Sequence, residues 1–219
     1  MKNYTPLLLL FIPGFLFFAG CNKNSDRILI EGTVTDVMVA APVEGVTVNL
    51  VGKMFEGGVF NPNPSLIATV QTDASGKFRI DIAQVKASDF ELQTVKDRYF
   101  DYSKPLTINE ISSGKAYNPQ ISLNPIGALR LQVQNTNPVN ASDLITFRIV
   151  SDNPSCSGCC NSNWQQGTGM GYDTLAECRT KAGKTAVISW NIHKGTNHKT
   201  DSALVNIPRF DTAFYHLVY

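Results

Sequence analysis

The sequence carries little charge and has no excess of either sign. Lysine and arginine number 19 against 18 aspartate and glutamate residues, and charged residues make up 17% of the 219-residue chain. A chain this balanced offers nucleic acid no basic surface, so we expect no nucleic-acid partner. With 43% hydrophobic residues beside this low charge, the composition also excludes an intrinsically disordered protein.

The sequence also lacks the motifs of common enzymes and any clear helical pattern. Neither the Gly-x-Ser-x-Gly turn of a serine hydrolase nor the His-Glu-x-x-His zinc motif occurs, and the chain has only three histidines. No window shows apolar residues at the 3.6-residue period of an amphipathic helix. We therefore predict no catalytic residue, no cofactor and an all-β fold.

One long apolar run is present, and it lies at the amino terminus. Residues 7–18 are too few for a bilayer span of about 20 residues, and the run has the length of a signal-peptide core. The Ala-Gly-Cys21 sequence that follows resembles a bacterial lipobox. We predict a signal peptide over 1–20 and a lipidated, polar tether over 21–27. An uncleaved membrane anchor is the alternative.

Lipidation of Cys21 would determine where the protein resides. Several acyl chains on one cysteine, palmitate among them, anchor a protein stably where a single chain does not. The predicted partner of the amino terminus is therefore a membrane, and the predicted location is the cell envelope at the outer membrane. Asp26 is the only acidic residue of the tether, which leaves the periplasmic and the outward-facing side both open.

Short runs of alternating apolar and polar residues, separated by turns, fill the rest of the chain. This period of two is typical of half-buried strands, and many such strands at short spacing indicate antiparallel sandwiches. We predict two antiparallel β-sandwich domains, over 28–124 and over 125–219, the second Ig-like or similar. Within the first domain, Asp73 to Gly76 is predicted to form a hairpin turn, and 52–64, rich in glycine, asparagine and proline, a long loop.

Three segments of the first domain carry a family resemblance. Residues 31–36 (EGTVTD), 42–50 (PVEGVTVNL) and 72–78 (TDASGKF) resemble the carboxypeptidase regulatory-like domain. The resemblance implies a transthyretin-like (prealbumin-like) β-sandwich. It also implies an accessory module that supports folding, attachment or ligand contact and does no chemistry. The His-x-x-Glu pair of the zinc carboxypeptidases themselves is absent from this sequence.

A cysteine-rich loop over 154–178 interrupts the second domain. It is poor in apolar residues, so it cannot order itself by burial alone. In an oxidising compartment its four cysteines predict two disulfides. A bond between the adjacent Cys159 and Cys160 would be strained, because their Cα atoms lie about 3.8 Å apart. Two pairings remain open: Cys156–Cys160 with Cys159–Cys178, or Cys156–Cys159 with Cys160–Cys178.

Two other interpretations compete for these cysteines. Thiolates of Cys156, Cys159, Cys160 and Cys178 could bind zinc or copper together with His193 and His198, although the paired Cys-x2-Cys spacing occurs only once. The Cys156 to Cys159 segment could also be a thiol redox centre, although the residues after it do not resemble the start of a helix.

Two aromatic residues of the loop are candidate ligand contacts. Trp164 and Tyr172 could stack on a glycan or anchor a protein partner, or they could pack inward as the small core of the loop. Trp190 shares the phase of Ile188 and Ile192 and is predicted to be buried. The sequence thus favours a non-catalytic, lipid-anchored binding or scaffold protein. A metal-handling or thiol-redox lipoprotein is the alternative.

Overall fold

The computed structural model describes residues 27–111, 115–152 and 156–219. The predicted signal peptide and the predicted lipidation site, Cys21, lie outside the described residues. The described part is almost entirely β, as predicted, and its strands form two sandwich-like domains. In the part of the chain that the structure describes, no helix has the length and apolar character needed to cross a membrane.

The first domain comprises two sheets and one short helix. One sheet has the order β4-β1-β7 and the other the order β3-β2-β5-β6. Inward positions alternate along β1, and an apolar cluster fills the space between the sheets. The elements are β1 (Arg27–Asp36), β2 (Thr47–Glu56), β3 (Val59–Gln71), β4 (Lys77–Ala83), β5 (Ala87–Val95), β6 (Tyr102–Leu106), α1 (Ile108–Ile111) and β7 (Gln120–Leu123).

The second domain repeats this arrangement. Its sheets have the orders β11-β8-β14 and β10-β9-β12-β13. Trp190 lies in the apolar cluster between them, 6% exposed, as its phase predicts. The elements are β8 (Ile126–Gln134), β9 (Leu144–Val150), β10 (Gln165–Thr168), β11 (Asp173–Lys181), β12 (Thr185–Lys194), β13 (Asn197–Asn206) and β14 (Thr212–Val218).

The two domains share one topology, strand for strand. When seven is added to each strand number of the first domain, its strand orders become those of the second domain. Thus β1 corresponds to β8 and β7 to β14. In each domain the first strand is central in a three-stranded sheet and pairs in parallel with the last strand. The other strand pairs are antiparallel, so the predicted antiparallel sandwiches are present with one parallel pair added to each.

The prediction of a long loop over 52–64 is wrong, because β2 and β3 continue through it as a long hairpin. Its tip lies at Gly57 and Gly58, both at positive φ. Pro62 and Pro64 are tolerated inside β3 because β3 is an edge strand, where a residue without an N–H group need not cost a hydrogen bond to a neighbouring strand. Two register shifts of β2 against β3 accommodate the irregular sequence.

The turn predicted at Asp73 is present, but it does not join a hairpin. The Asp73 carboxylate accepts hydrogen bonds from the backbone N–H groups of Ser75 (2.8 Å) and Lys77 (2.9 Å), and Gly76 has a φ of 70°. However, β3 pairs with β2 while β4 pairs with β1. The turn therefore transfers the chain from one sheet to the other.

The cysteine-rich loop predicted over 154–178 also contains strands. It includes the whole of β10 and most of β11, which pairs with β8 along nine residue positions. The sequence conceals β11 because its inward positions hold small or polar residues, among them Thr174, Ala176 and Thr180, in place of large apolar ones.

Candidate ligand-binding face

Two disulfides hold the cysteine segment, one short and one long. Cys156 is bonded to Cys159 and Cys160 to Cys178, with Cα–Cα distances of 5.3 and 4.8 Å. This is one of the two pairings that the sequence left open. The second bond connects the segment to β11, and the backbone reinforces it: Cys160 N–H donates to Arg179 O and Arg179 N–H to Gly158 O. The segment therefore runs along the edge of β11.

Trp164 is fixed between two constraints. The bonded Cys160 lies four residues before it, and β10, which pairs with β9, begins directly after it. Its indole is 49% exposed, and the Arg148 guanidinium lies 4.8 Å from the centre of its ring. The buried Arg148 Nε has no hydrogen-bond partner among the described residues. Trp164 thus presents a half-exposed aromatic surface on a rigid support.

Tyr172, the second predicted contact, lies in a different environment. Its ring packs against the apolar cluster of the domain and covers Gly167, where a Cβ atom would lie 2.2 Å from the ring. Burial raises the pKa of its hydroxyl, although a hydrogen bond with Thr174 acts to lower that pKa. The structure therefore places Tyr172 as packing against β10 at Gly167.

The outward face of the β10-β9-β12-β13 sheet carries rows of polar side chains beside Trp164, bordered at that end by the apolar row of Val150, Val187 and Leu204. Asn191 connects three strands across it: its amide donates to the Thr146 hydroxyl (3.3 Å) and accepts from the Thr200 hydroxyl (2.8 Å). Gln166 lies opposite Thr146 in the register, and Ser189 opposite Arg148. We call this surface the polar face and define it by Thr146, Arg148, Trp164, Gln166, Ser189, Asn191, Thr200 and Ser202.

A cavity adjoins the polar face at the end where Trp164 lies. It has a volume of about 410 Å³ and is lined by the disulfide segment and the end of β9, including Asn161, Ser162 and Asn163. The cavity wall is rich in amide and hydroxyl groups. A ligand on the polar face could therefore extend a polar group into it.

Two histidines occupy the other end of the same surface. His193 and His198 face each other across β12 and β13, with their Nδ1 atoms 2.5 Å apart and their rings edge to face. One Nδ1 must donate and the other accept, since each nitrogen offers either a proton or a lone pair. In the sequence, both histidines were candidate ligands only in the alternative metal site with the cysteines.

The structure does not favour the metal alternative, and among the described residues no helix follows the Cys156–Cys159 bond, as one would in a redox Cys-x-x-Cys centre. All four cysteines of the segment form disulfides, so they offer no thiolate to an ion. Within the described ranges, no group of three or more histidine, cysteine, aspartate or glutamate side chains is placed to hold a metal ion. The histidine pair and the cysteine segment lie at opposite ends of the sheet.

A buried polar network supports the end of the sheet that carries the histidines. The fully buried Asp143 accepts hydrogen bonds from Asn135 Nδ2 (3.0 Å) and Val139 N–H (2.8 Å). Lys194, next to His193, donates to Asn135 Oδ1 (2.6 Å), and burial lowers the pKa of this lysine. These bonds fix the loop after β8 to the β12–β13 hairpin.

Most residues of the polar face were missed by sequence reasoning. Thr146, Arg148, Ser189 and Asn191 are the outward members of strands whose inward members were recognised, so the period of two contained the signal. What the sequence could not provide was the strand order, which places β9 between β10 and β12 and brings these positions together beside Trp164.

In the comparisons with known proteins, the chain shows similarity to solved structures only. The sequence matches no protein-family model and no curated protein. Among solved structures, the chain is similar to the Bacillus anthracis TIE protein (10% identity, TM-score 0.35), with 89% of this chain and 34% of that one aligned. It is also similar to the shaft pilin SpaA from Lactobacillus rhamnosus GG (8%, TM-score 0.31, 88% and 97% aligned).

A third similar structure is GBS52, the minor pilin of Streptococcus agalactiae, at 10% identity and a TM-score of 0.30, with 86% of this chain and 94% of that one aligned. This chain spans about a third of the TIE protein's length. At such low TM-scores these likenesses carry no argument about function. Membership of the carboxypeptidase regulatory-like family remains a prediction, whereas the β-sandwich that it implied is present.

Proposed function

We propose that this protein is a non-catalytic binding module of the cell envelope, anchored by a lipid on Cys21, whose ligand contacts the polar face of the second domain. The ligand that we propose is a glycan. The observation that carries the proposal is Trp164, an aromatic residue that is half exposed yet held by a disulfide on one side and by a strand on the other.

The chemistry of the surface around Trp164 supports a glycan. An indole offers a flat apolar surface with a polar edge, which suits the face of a sugar ring. The hydroxyl and amide groups of Thr146, Gln166 and Asn191 can both donate and accept, as sugar hydroxyls do. Because the side chains and backbone are fixed by neighbouring strands, binding would order few of them, which lowers its entropic cost.

The proposal is tested by glycan binding of the folded chain over 22–219. An immobilised array of bacterial and host glycans identifies a ligand, and titration calorimetry measures its affinity. Trp164→Ala is expected to weaken binding about 30-fold, which corresponds to an interface hot spot of about 2 kcal/mol. Phe214→Ala is the matched control, because Phe214 is also an exposed aromatic residue (57%) but lies on the other sheet, on β14.

The results test the binding site and the ligand class separately. Equal affinity of the Trp164→Ala and Phe214→Ala variants would refute the polar face as the binding site. Binding of a protein by the wild-type chain, lost in Trp164→Ala and with no glycan bound, would retain the site and replace the ligand class.

The anchor has a separate test. We expect the intact mass of protein extracted from bacterial membranes to equal that of the chain from residue 21 plus a diacylglyceryl group and an additional acyl chain. Cys21→Ala is expected to abolish the added mass and to leave the protein unprocessed. A soluble, unmodified wild-type chain would refute lipid anchoring and leave the test of the polar face unaffected.

A further inference from the structure

The β2–β3 hairpin carries a group of exposed apolar side chains at its tip. Val59 is 70% exposed, Phe55 48% and Phe60 42%, and the two phenylalanine rings lie 5.1 Å apart. Ile108, at the start of α1, is 50% exposed, and it lines a cavity of about 1120 Å³ together with Phe55 and the segment from Ala83 to Ala87. We call Phe55, Val59, Phe60 and Ile108 the apolar tip.

The apolar tip lies at the end of the domain where the described chain begins. Arg27, the first described residue, is opposite Ala83 in the pairing of β1 with β4. Ala83 lines the same cavity as Phe55 and Gly58, and the neighbouring Ala87 pairs with Met54 on the hairpin. The entry of the chain and the hairpin tip therefore share one end of the first domain.

The chain before Arg27 limits how far this end can be from a lipid on Cys21. Arg27 lies six positions after Cys21 in the sequence, and an extended chain covers at most about 3.3–3.6 Å per residue, or about 20 Å in total. An acyl chain on Cys21 would thus hold the membrane surface within reach of the apolar tip.

We propose that the apolar tip docks on the lipid surface into which Cys21 is anchored. The proposal rests on the lipid anchor proposed above. Phenylalanine, valine and isoleucine at a hairpin end can enter the boundary between headgroups and acyl chains, where burial of apolar area adds to binding. The exposed Lys86 in the wall of the cavity suits anionic headgroups. Docking would fix the orientation of the molecule above the membrane.

This orientation also determines the position of the second domain relative to the membrane. The apolar tip lies at the start of β1, whereas the second domain joins the first at the opposite end of β1, where Asp36 meets Arg209. With the tip on the membrane, the second domain lies at the end of the first domain that is farther from the bilayer. A tether alone would permit the molecule to lie on its side.

The test uses the mature chain over 21–219, in which Cys21 is the only thiol outside the two disulfides. Cys21 is coupled to a maleimide phospholipid in vesicles of phosphatidylethanolamine and phosphatidylglycerol. A tryptophan replaces Val59 at the tip, or, as the control, Leu204, which is equally exposed (73%) on β13 of the second domain. Lipids with brominated acyl chains then quench any tryptophan that reaches the bilayer.

Trp164 and Trp190 give a background emission, to which each new tryptophan adds its own. We expect brominated lipids to quench most of the emission added by Val59→Trp and none of the emission added by Leu204→Trp. Adding Phe55→Ser and Phe60→Ser to Val59→Trp should abolish that quenching. Equal fractional quenching of the emission added by the two tryptophan variants would overturn the proposal. Because the coupling is chemical, this result is independent of whether cells lipidate Cys21.

Discussion

At the scale of single residues, Asp143 illustrates how burial and hydrogen bonding oppose each other. Burial of its carboxyl acts to raise the pKa, but hydrogen bonds from Asn135 and from the backbone N–H groups of Val139 and Asn140, with the charge of Lys194, hold the pKa below its ordinary value. The carboxylate form is thus preferred in the folded protein over the unfolded chain.

The pKa of Asp143 predicts a pH-dependent contribution to stability. A lowered pKa in the folded state stabilises the fold above the ordinary aspartate pKa, about 3.9, and this contribution is lost as the pH falls through the folded-state pKa. We expect Asp143→Asn to melt several degrees below wild type at pH 7, since its amide NH2 would face N–H donors. Thermal melts from pH 7 to pH 3 should show the gap narrowing below about pH 4. A constant gap would contradict this account.

At the scale of the element, the cysteine segment is stabilised mainly by its longer disulfide. The Cys160–Cys178 bond closes a loop with a sequence separation of 18, whereas Cys156–Cys159 closes one of 3. A cross-link stabilises in part by restricting the unfolded chain, and more so for a longer loop. The longer bond also fixes the chain just before Trp164, so its loss should affect binding as well as stability.

We predict that the Cys160→Ala/Cys178→Ala variant loses about 3 kcal/mol of unfolding free energy. It should also bind the polar-face ligand more weakly, because Trp164 loses one of its two supports. Cys156→Ala/Cys159→Ala is the matched control, and we expect a smaller loss from it. Urea unfolding and calorimetric titration of both variants provide the comparison. Equal losses in the two would show that loop length does not govern the effect.

The elements differ in how well the sequence predicts them, and the reason is physical. Strands with large inward side chains, such as β1, β8, β9 and β12, follow from their alternation. By contrast, β11 has small inward residues, and β3 contains prolines that only an edge position permits. The half-exposed Trp164 was identified as a candidate, but its neighbours on the polar face depend on strand order, which no local pattern encodes.

At the scale of the whole molecule, an ion pair between the buried Asp36 and the partly exposed Arg209 joins the two domains. Asp36, 1% exposed at the end of β1, accepts hydrogen bonds from Arg209 Nη2 (2.8 Å) and from the Tyr99 hydroxyl (2.9 Å). Burial acts to raise the pKa of Asp36, but these bonds, with backbone N–H groups, lower it. Phe210 packs edge to face on Tyr99. The repeated topology thus gives two similar domains whose relative position depends on a few side chains.

Arg209→Ala is predicted to uncouple the domains. The change leaves the Asp36 carboxylate buried without its cationic partner, which we expect to cost about 1–3 kcal/mol, less than for a fully buried pair because the Arg209 side chain is 35% exposed. Scanning calorimetry should then resolve two unfolding transitions, where we expect one for the wild type, because each domain keeps its own apolar cluster. Arg130→Ala is the matched control: its ion pair with Glu177 is exposed and lies within the second domain, so a single transition should persist. If Arg209→Ala also melts in one transition at the wild-type temperature, the ion pair does not couple the domains, and the backbone contacts around Ile126 must do so.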